Sequence, residues 1–278
     1  MKQYCDIYYQ IRTRLYSHFN YQADKSLLNE PKSQTSPYLN VYGYPNELDY
    51  RTADNIPLRE NFVNLETFCR DEENDSDLDV SKTKQFLSLP EQFKYSTPTS
   101  KLIYFSLGTL LSMDIELIKR LLAMFATTPH RYIVSKGLRA DEFELPDNCW
   151  GGSYLDQIRI IQLVDLVITH GGNNTVTETF NQGKPMIVMP SFLDQWDNAQ
   201  RVQEKGYGIW LHPFLCTKEQ ITQALDRLLT DSADPSTDLY QKLSSAKNRM
   251  TDRYLSKERV CERIEQMIQD ERQRRNQQ

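Results

Sequence analysis

Residues 164–190 read VDLVITHGGNNTVTETFNQGKPMIVMP. Two short apolar runs, VDLVIT and PMIVMP, frame a segment that opens with His170, Gly171 and Gly172 and closes at Gly183. Brief apolar runs bounded by glycine and proline fit strands buried on both faces, and the segment between them, Asn174 to Gln182, has the makings of a helix stopped by glycine. Strand, helix and strand in such close succession form a βαβ unit, whose two strands lie parallel. Small and polar residues gather past the carboxyl ends of the runs, and open parallel sheets bind ligands at that edge.

The same pattern extends outward. KLIYFSLGT (101–109), RYIVSKG (131–137) and GYGIWL (206–211) read as further strands. SMDIELIKRLLAMFATTP (112–129) reads as a helix with Ser112 as candidate N-cap, an apolar face of Ile115, Ile118, Leu122 and Phe125, and Pro129 beyond its stop. Gln195 to Lys205 is a helix stopped by Gly206, and Thr217 to Gln220 carries a capping-box pattern ahead of Ile221, Leu225 and Leu228. A last amphipathic helix, Ser256 to about Asp270, runs through Val260, Ile264 and Ile268. Strands alternating with helices define an α/β fold, a Rossmann-like parallel sheet with helices on both faces, centred on residues 101 to about 235. Residues 1–100 are irregular: a Tyr-rich opening, proline-rich text, and the acidic run RDEENDSDLDVSK that reads as a solvated linker. The expected division is 1–100 and 101–278.

Composition narrows the function classes. The 278 residues carry a net charge of -5 with a mean hydropathy of -0.64. No basic stripe is available to displace phosphate counterions, so a general nucleic-acid binder is not expected. No run approaches a membrane span, and the N-terminus lacks a secretory apolar region. The five cysteines are scattered with no C-x-x-C pair, so neither a zinc site nor a disulfide framework is expected. A cytoplasmic location follows as the expectation.

Three polar clusters fall at one sheet edge: Ser106 to Thr109, His170 to Gly172, and Pro190 to Gln195. Glycines after a strand admit a ligand close to the backbone, and the free N–H groups of the next helix favour an anion. Glu178, one turn into that helix, could accept hydroxyl protons from a ribose. Each feature also has a structural reading: Asn174 or Thr175 as helix cap, Thr175 and Glu178 as a capping box, Asp194 and Gln195 as the cap of the following helix. The Gly-Gly pair is not G-x-G-x-x-G, so a nicotinamide-dinucleotide fingerprint is absent.

At this point the text resembles a known family. HGGNNTVTETFNQGKPMIVMPSFLDQWDNA (170–199) is similar to the donor-binding signature of UDP-dependent glycosyltransferases: H-x-G-x-x-S-x-x-E, then G-x-P, then P and D-Q with N-A shortly after. YFSLGT resembles the family's first strand and phosphate turn, LPDNCW the segment before its uracil site, and YGYPNELDY with IPLRENFVNLE the stretch joining its two domains. The resemblance implies a GT-B fold whose C-terminal domain holds a UDP-sugar as co-substrate, with no cofactor and no metal. It places His170 at the diphosphate; Gly172, Asn174, Thr175 and Thr109 around phosphate oxygens; and Glu178 on the ribose hydroxyls. Asp194 and Gln195 fall on the transferred sugar, and Gln157 with Tyr154 at the uracil.

Two departures stand out. The family usually reads Trp-x-Pro-Gln where this chain has Tyr154-Leu155-Asp156-Gln157, which puts a carboxylate beside the base. The family's general base, a histidine paired with an aspartate, belongs to an N-terminal acceptor domain longer than the portion present here; His18 sits in no matching motif, so no catalytic residue is assigned. The implied activity is transfer of a hexose, glucose foremost, to a hydroxyl of a small lipophilic acceptor with inversion. The alternative is a catalytically inactive, truncated nucleotide-sugar-binding protein lacking that base. With a shortened N-terminal portion, the stripe of the last helix is expected to support self-association.

Overall fold

The computed structural model describes residues 39–50, 61–66, 89–250 and 253–276. The Tyr-rich opening, His18 and the acidic run lie outside the described residues. Two compact units are distinguished. The larger includes described residues 42–50, 64–66, 89–250 and 253–263, and every candidate site residue falls in it; the smaller includes 39–41, 61–63 and 264–276.

Strands β1 (Asn40–Tyr42) and β2 (Phe62–Asn64) pair as a small separate sheet. The main sheet comprises β3 (Leu102–Ser106), β4 (Arg131–Ser135), β5 (Cys149–Gly152), β6 (Leu166–Thr169), β7 (Met186–Val188) and β8 (Gly208–Trp210). The α-helices of the described residues are α1 (Gly108–Leu111), α2 (Ile115–Phe125), α3 (Gln157–Leu163), α4 (Asn173–Asn181), α5 (Gln195–Glu204), α6 (Lys218–Asp231), α7 (Asp238–Met250) and α8 (Arg253–Asn276). The strand order is β5-β4-β3-β6-β7-β8, parallel throughout. That is the doubly wound order, in which the chain leaves β3 in one direction to build β4 and β5 and returns beside it as β6.

Every residue of β3, β6 and β7 is buried, as sheets covered on both sides require. The alternation of β3 shows the two layers. Ile103 and Phe105 join a core with Leu117, Leu121 and Phe125 of α2, while Leu102 and Tyr104 join another with Ile160 and Ile161 of α3.

Four local readings change. Ser112 does not cap α2; Asp114 does, its Oδ1 accepting from Leu117 N at 3.0 Å, and the Ser112 hydroxyl donates to Thr109 O instead. The sheet gains β5, whose CWGG sequence carries too little β-propensity to signal a strand. Helix α7 was hidden because its buried Leu239, Leu243 and Ala246 are interleaved with Ser, Lys and Asn. By contrast the capping box at Thr217 and Gln220 forms in both directions. Helix α8 is longer than its sequence pattern suggested; Val260 is buried, whereas Ile264 and Ile268 are exposed. Among the described residues no helix is long and apolar enough to cross a membrane.

Candidate functional site

The doubly wound order puts a crevice between the carboxyl ends of β3 and β6, because the connections diverge there. The sequence supplies glycines on both sides of it. Thr169 ends β6 and turns the chain: its Oγ1 accepts from Gly171 N at 3.2 Å. Between the two strand ends sits His170. An added Cβ at Gly108 would lie 2.7 Å from its ring, and one at Gly172 would lie 2.5 Å from Nε2. Both contacts are far inside van der Waals distance, so the two glycines form the seat of this imidazole. At Gly108 a φ of +68° adds a backbone reason for glycine. Burial pulls the His170 pKa below its ordinary value, with Asp194 and the Ser106 backbone acting in the opposite sense. His170 is therefore neutral at pH 7.

Helix α4 starts beside this seat. Gly172 is its N-cap and no side chain makes a capping hydrogen bond. The capping roles considered for Asn174 and Thr175 are thus overturned: both lie inside the first turn, Asn174 exposed and Thr175 buried. The capping-box alternative for Glu178 falls with them. An uncapped helix start carries partial positive charge from its first N–H groups.

Glu178 is only 8 % exposed and lies along α4 rather than at its end. Its Oε2 accepts from Gln157 Nε2, which also donates to Thr175 Oγ1 at 3.3 Å. The Gln157 carbonyl accepts from Tyr104 OH at 3.1 Å. Gln157 is the first residue of α3, and Asp156 is the N-cap, accepting from Arg159 N at 3.3 Å and pairing with its guanidinium. The carboxylate that departs from the usual proline therefore has a local use. Tyr154, 57 % exposed, stands in the loop before it, while Trp150 is half-buried against the core of the α3 side.

Asp194 occupies the N-cap position of α5 but makes no side-chain capping bond; it is exposed and accepts weakly from Asn198 Nδ2 at 3.4 Å. Gln195 is 4 % exposed, and its Oε1 accepts from Ser191 N and Phe192 N at 2.9 and 3.2 Å. Its carbonyl thus shapes the loop after β7, a use the sequence reading did not assign. Thr109 lies exposed at the start of α1, next to the His170 seat.

Sequence reasoning missed a brace around the Gly171 turn. Asn198 Nδ2 donates to Gly171 O at 2.8 Å, and its Oδ1 accepts from buried Tyr44 OH at 2.9 Å. Asn173 Nδ2 donates to Gly43 O at 3.2 Å. Arg201 lies 5.1 Å from the Tyr44 and Tyr50 ring centroids, a cation–π contact with each. Asn173 and Asn198 were both quoted within the signature, but nothing in the sequence linked either to residues 43 and 44. Among the described residues no cluster of three or more His, Cys, Asp or Glu could hold a metal ion.

Comparison with known proteins identifies the fold and the family. The uncharacterized UDP-glucosyltransferase YdhE of Bacillus subtilis (strain 168) is 29 % identical over 171 residues, covering 60 % of this chain and 42 % of the relative. The fold is similar to that of the glycotransferase of kitacinnamycin, with TM-score 0.64 and 21 % identity over 83 % of this chain and 55 % of that one. It is also similar to CalG4, the calicheamicin glycosyltransferase, with TM-score 0.62 and 18 % identity over 94 % and 60 %. The chain spans less than two thirds of the length of each. These likenesses identify the fold as of the GT-B glycosyltransferase kind. A family model described as UDP-glucoronosyl and UDP-glucosyl transferase matches residues 38–245, well over half of the sequence, and the chain belongs to that family.

Proposed function

We propose that the rim formed by β3, β6 and α4 binds a UDP-sugar, and that the chain acts as the donor-binding part of a hexosyltransferase. The observation that carries this reading is the seating of His170 between Gly108 and Gly172, directly beside an uncapped helix start. A diphosphate at that point would meet backbone N–H groups of α4, the His170 imidazole and the Thr109 hydroxyl, with Gly172, Asn174 and Thr175 around it. Glu178 would accept from the ribose hydroxyls, supported by Gln157, and the base would lie toward Tyr154. The transferred sugar would meet the Asp194 carboxylate and the Gln195 amide N–H group. Glucose is the first candidate, and the acceptor is a small lipophilic alcohol or phenol.

The step is a displacement with inversion. The acceptor oxygen forms a bond to the anomeric carbon as the bond from that carbon to the diphosphate oxygen breaks, and UDP departs with the electron pair. The acceptor proton passes to a base for which no residue of this chain is assigned. The helix start and His170 stabilise charge growing on the leaving diphosphate, so the reading requires no cofactor.

A single-turnover assay tests the proposal: chain in excess over radiolabelled UDP-glucose, with a panel of phenols. Transfer above the buffer rate with β-configured product supports it. Binding of UDP-glucose without transfer restricts the chain to donor binding, and absence of both overturns the reading.

A further inference from the structure

We propose that Tyr104 is a positioning residue of the site: its buried hydroxyl fixes the Gln157 amide so that Gln157 presents Glu178 to the sugar hydroxyls of the bound nucleotide. The proposal deepens the donor-site reading above and rests on it.

Tyr104 lies in the middle of β3, in an apolar cluster, with 1 % of its surface exposed. Phenylalanine would fill the same volume, so the hydroxyl needs its own explanation; a buried O–H is costly unless it is hydrogen-bonded. It donates to Gln157 Oε1 at 3.1 Å, and the Ser106 and Ser135 hydroxyls lie against the phenol oxygen. Burial pushes its pKa up to about 12, so it remains a donor at any working pH. The consequence lies one residue further. With its carbonyl held by Tyr104, the Gln157 amide must turn its NH2 group to Thr175 Oγ1 and Glu178 Oε2. The opposite orientation would set a carbonyl against a carboxylate. Strand β3 thereby reaches through α3 to a side chain on α4.

The test is a mutant cycle read by calorimetry with UDP and 2′-deoxy-UDP, with thermal melting as a check on folding. Tyr104→Phe is expected to weaken UDP binding about 5-fold, the usual worth of one hydrogen bond, and to shrink the preference for UDP over its deoxy form. In a Gln157→Ala background the same change should cost less than about 2-fold, because its route to Glu178 is gone. Unchanged UDP affinity in Tyr104→Phe, with affinity lost in Glu178→Ala, overturns the proposal and leaves the donor-site reading standing. Full additivity with Gln157→Ala also overturns it, since a merely structural role adds. Should Tyr104→Phe fail to fold, Gln157→Met takes its place: the preference for UDP over deoxy-UDP must fall, and an unchanged preference sinks the idea. A wild-type chain that binds no UDP removes the donor-site reading, and the proposal goes with it.

Discussion

Glu178→Ala is expected to weaken UDP binding by about 10- to 100-fold, the loss of hydrogen bonds to a charged group worth roughly 1.5–3 kcal/mol. The fold should survive. Glu178 sits along α4 and caps nothing, and alanine is the better helix former at an interior position. What the substitution removes is the acceptor facing Gln157 and, on this account, the ribose. Glu178→Gln is the sharper companion: it keeps the volume, but an amide must now meet the Gln157 NH2 group without the attraction of a carboxylate. Calorimetry with UDP and a melting curve together check the prediction. UDP affinity at the wild-type level in both variants would return Glu178 to a purely structural role.

Gly172→Ala should be nearly as damaging to binding, for a steric reason. The backbone there has φ -62°, which alanine adopts freely, so conformational strain plays no part. The added methyl would lie 2.5 Å from His170 Nε2 and 3.0 Å from Cε1. Either the imidazole leaves its seat or the first turn of α4 shifts, and both disturb the diphosphate position. A loss of about 10-fold or more in UDP affinity is expected, in line with removing one preorganised donor. In a His170→Ala background the same change should have little further effect, because the three atoms nearest the methyl all belong to that imidazole. UDP binding by Gly172→Ala that matches the wild type would contradict the proposed seat. An equal loss in both backgrounds would place the damage in the helix start instead.

The fold was legible because its strands announce themselves. LIYFS, LVIT and MIV are buried at every position and mostly apolar, and only a sheet covered on both faces suits such runs. Strand β5 escaped notice because two of its four residues are glycine, and its place is set by pairing with β4. The arrangement of the candidate site was legible where motif and topology coincide, at His170, Gly172 and Glu178. Local readings were mistaken or stayed open where local chemistry has two solutions. Ser112 and Asp114 are both good caps, and only backbone geometry chose Asp114. Thr175 and Glu178 have capping-box spacing, but the helix starts at Gly172 and leaves them inside it. The contacts of Tyr104 with Gln157 and of Tyr44 with Asn198 join residues 53 and 154 apart in the chain. Spacing rules see one helix or one turn at a time and do not reach that far.

The central claim is that this rim takes a nucleoside diphosphate with its charge against His170. The most direct measurement is a calorimetric UDP titration near pH 6.5 in two buffers of different ionisation heat, comparing the wild type with His170→Ala. Burial holds the His170 pKa below its ordinary value in the free chain, so the neutral ring is the majority form there; a bound diphosphate favours the imidazolium and raises that pKa. Affinity should therefore tighten as pH falls from 7 toward the free-chain pKa. The account predicts one UDP per chain, with a proton uptake in the wild type that the His170→Ala variant lacks. No saturable UDP binding, or the same proton count in both proteins, would contradict it.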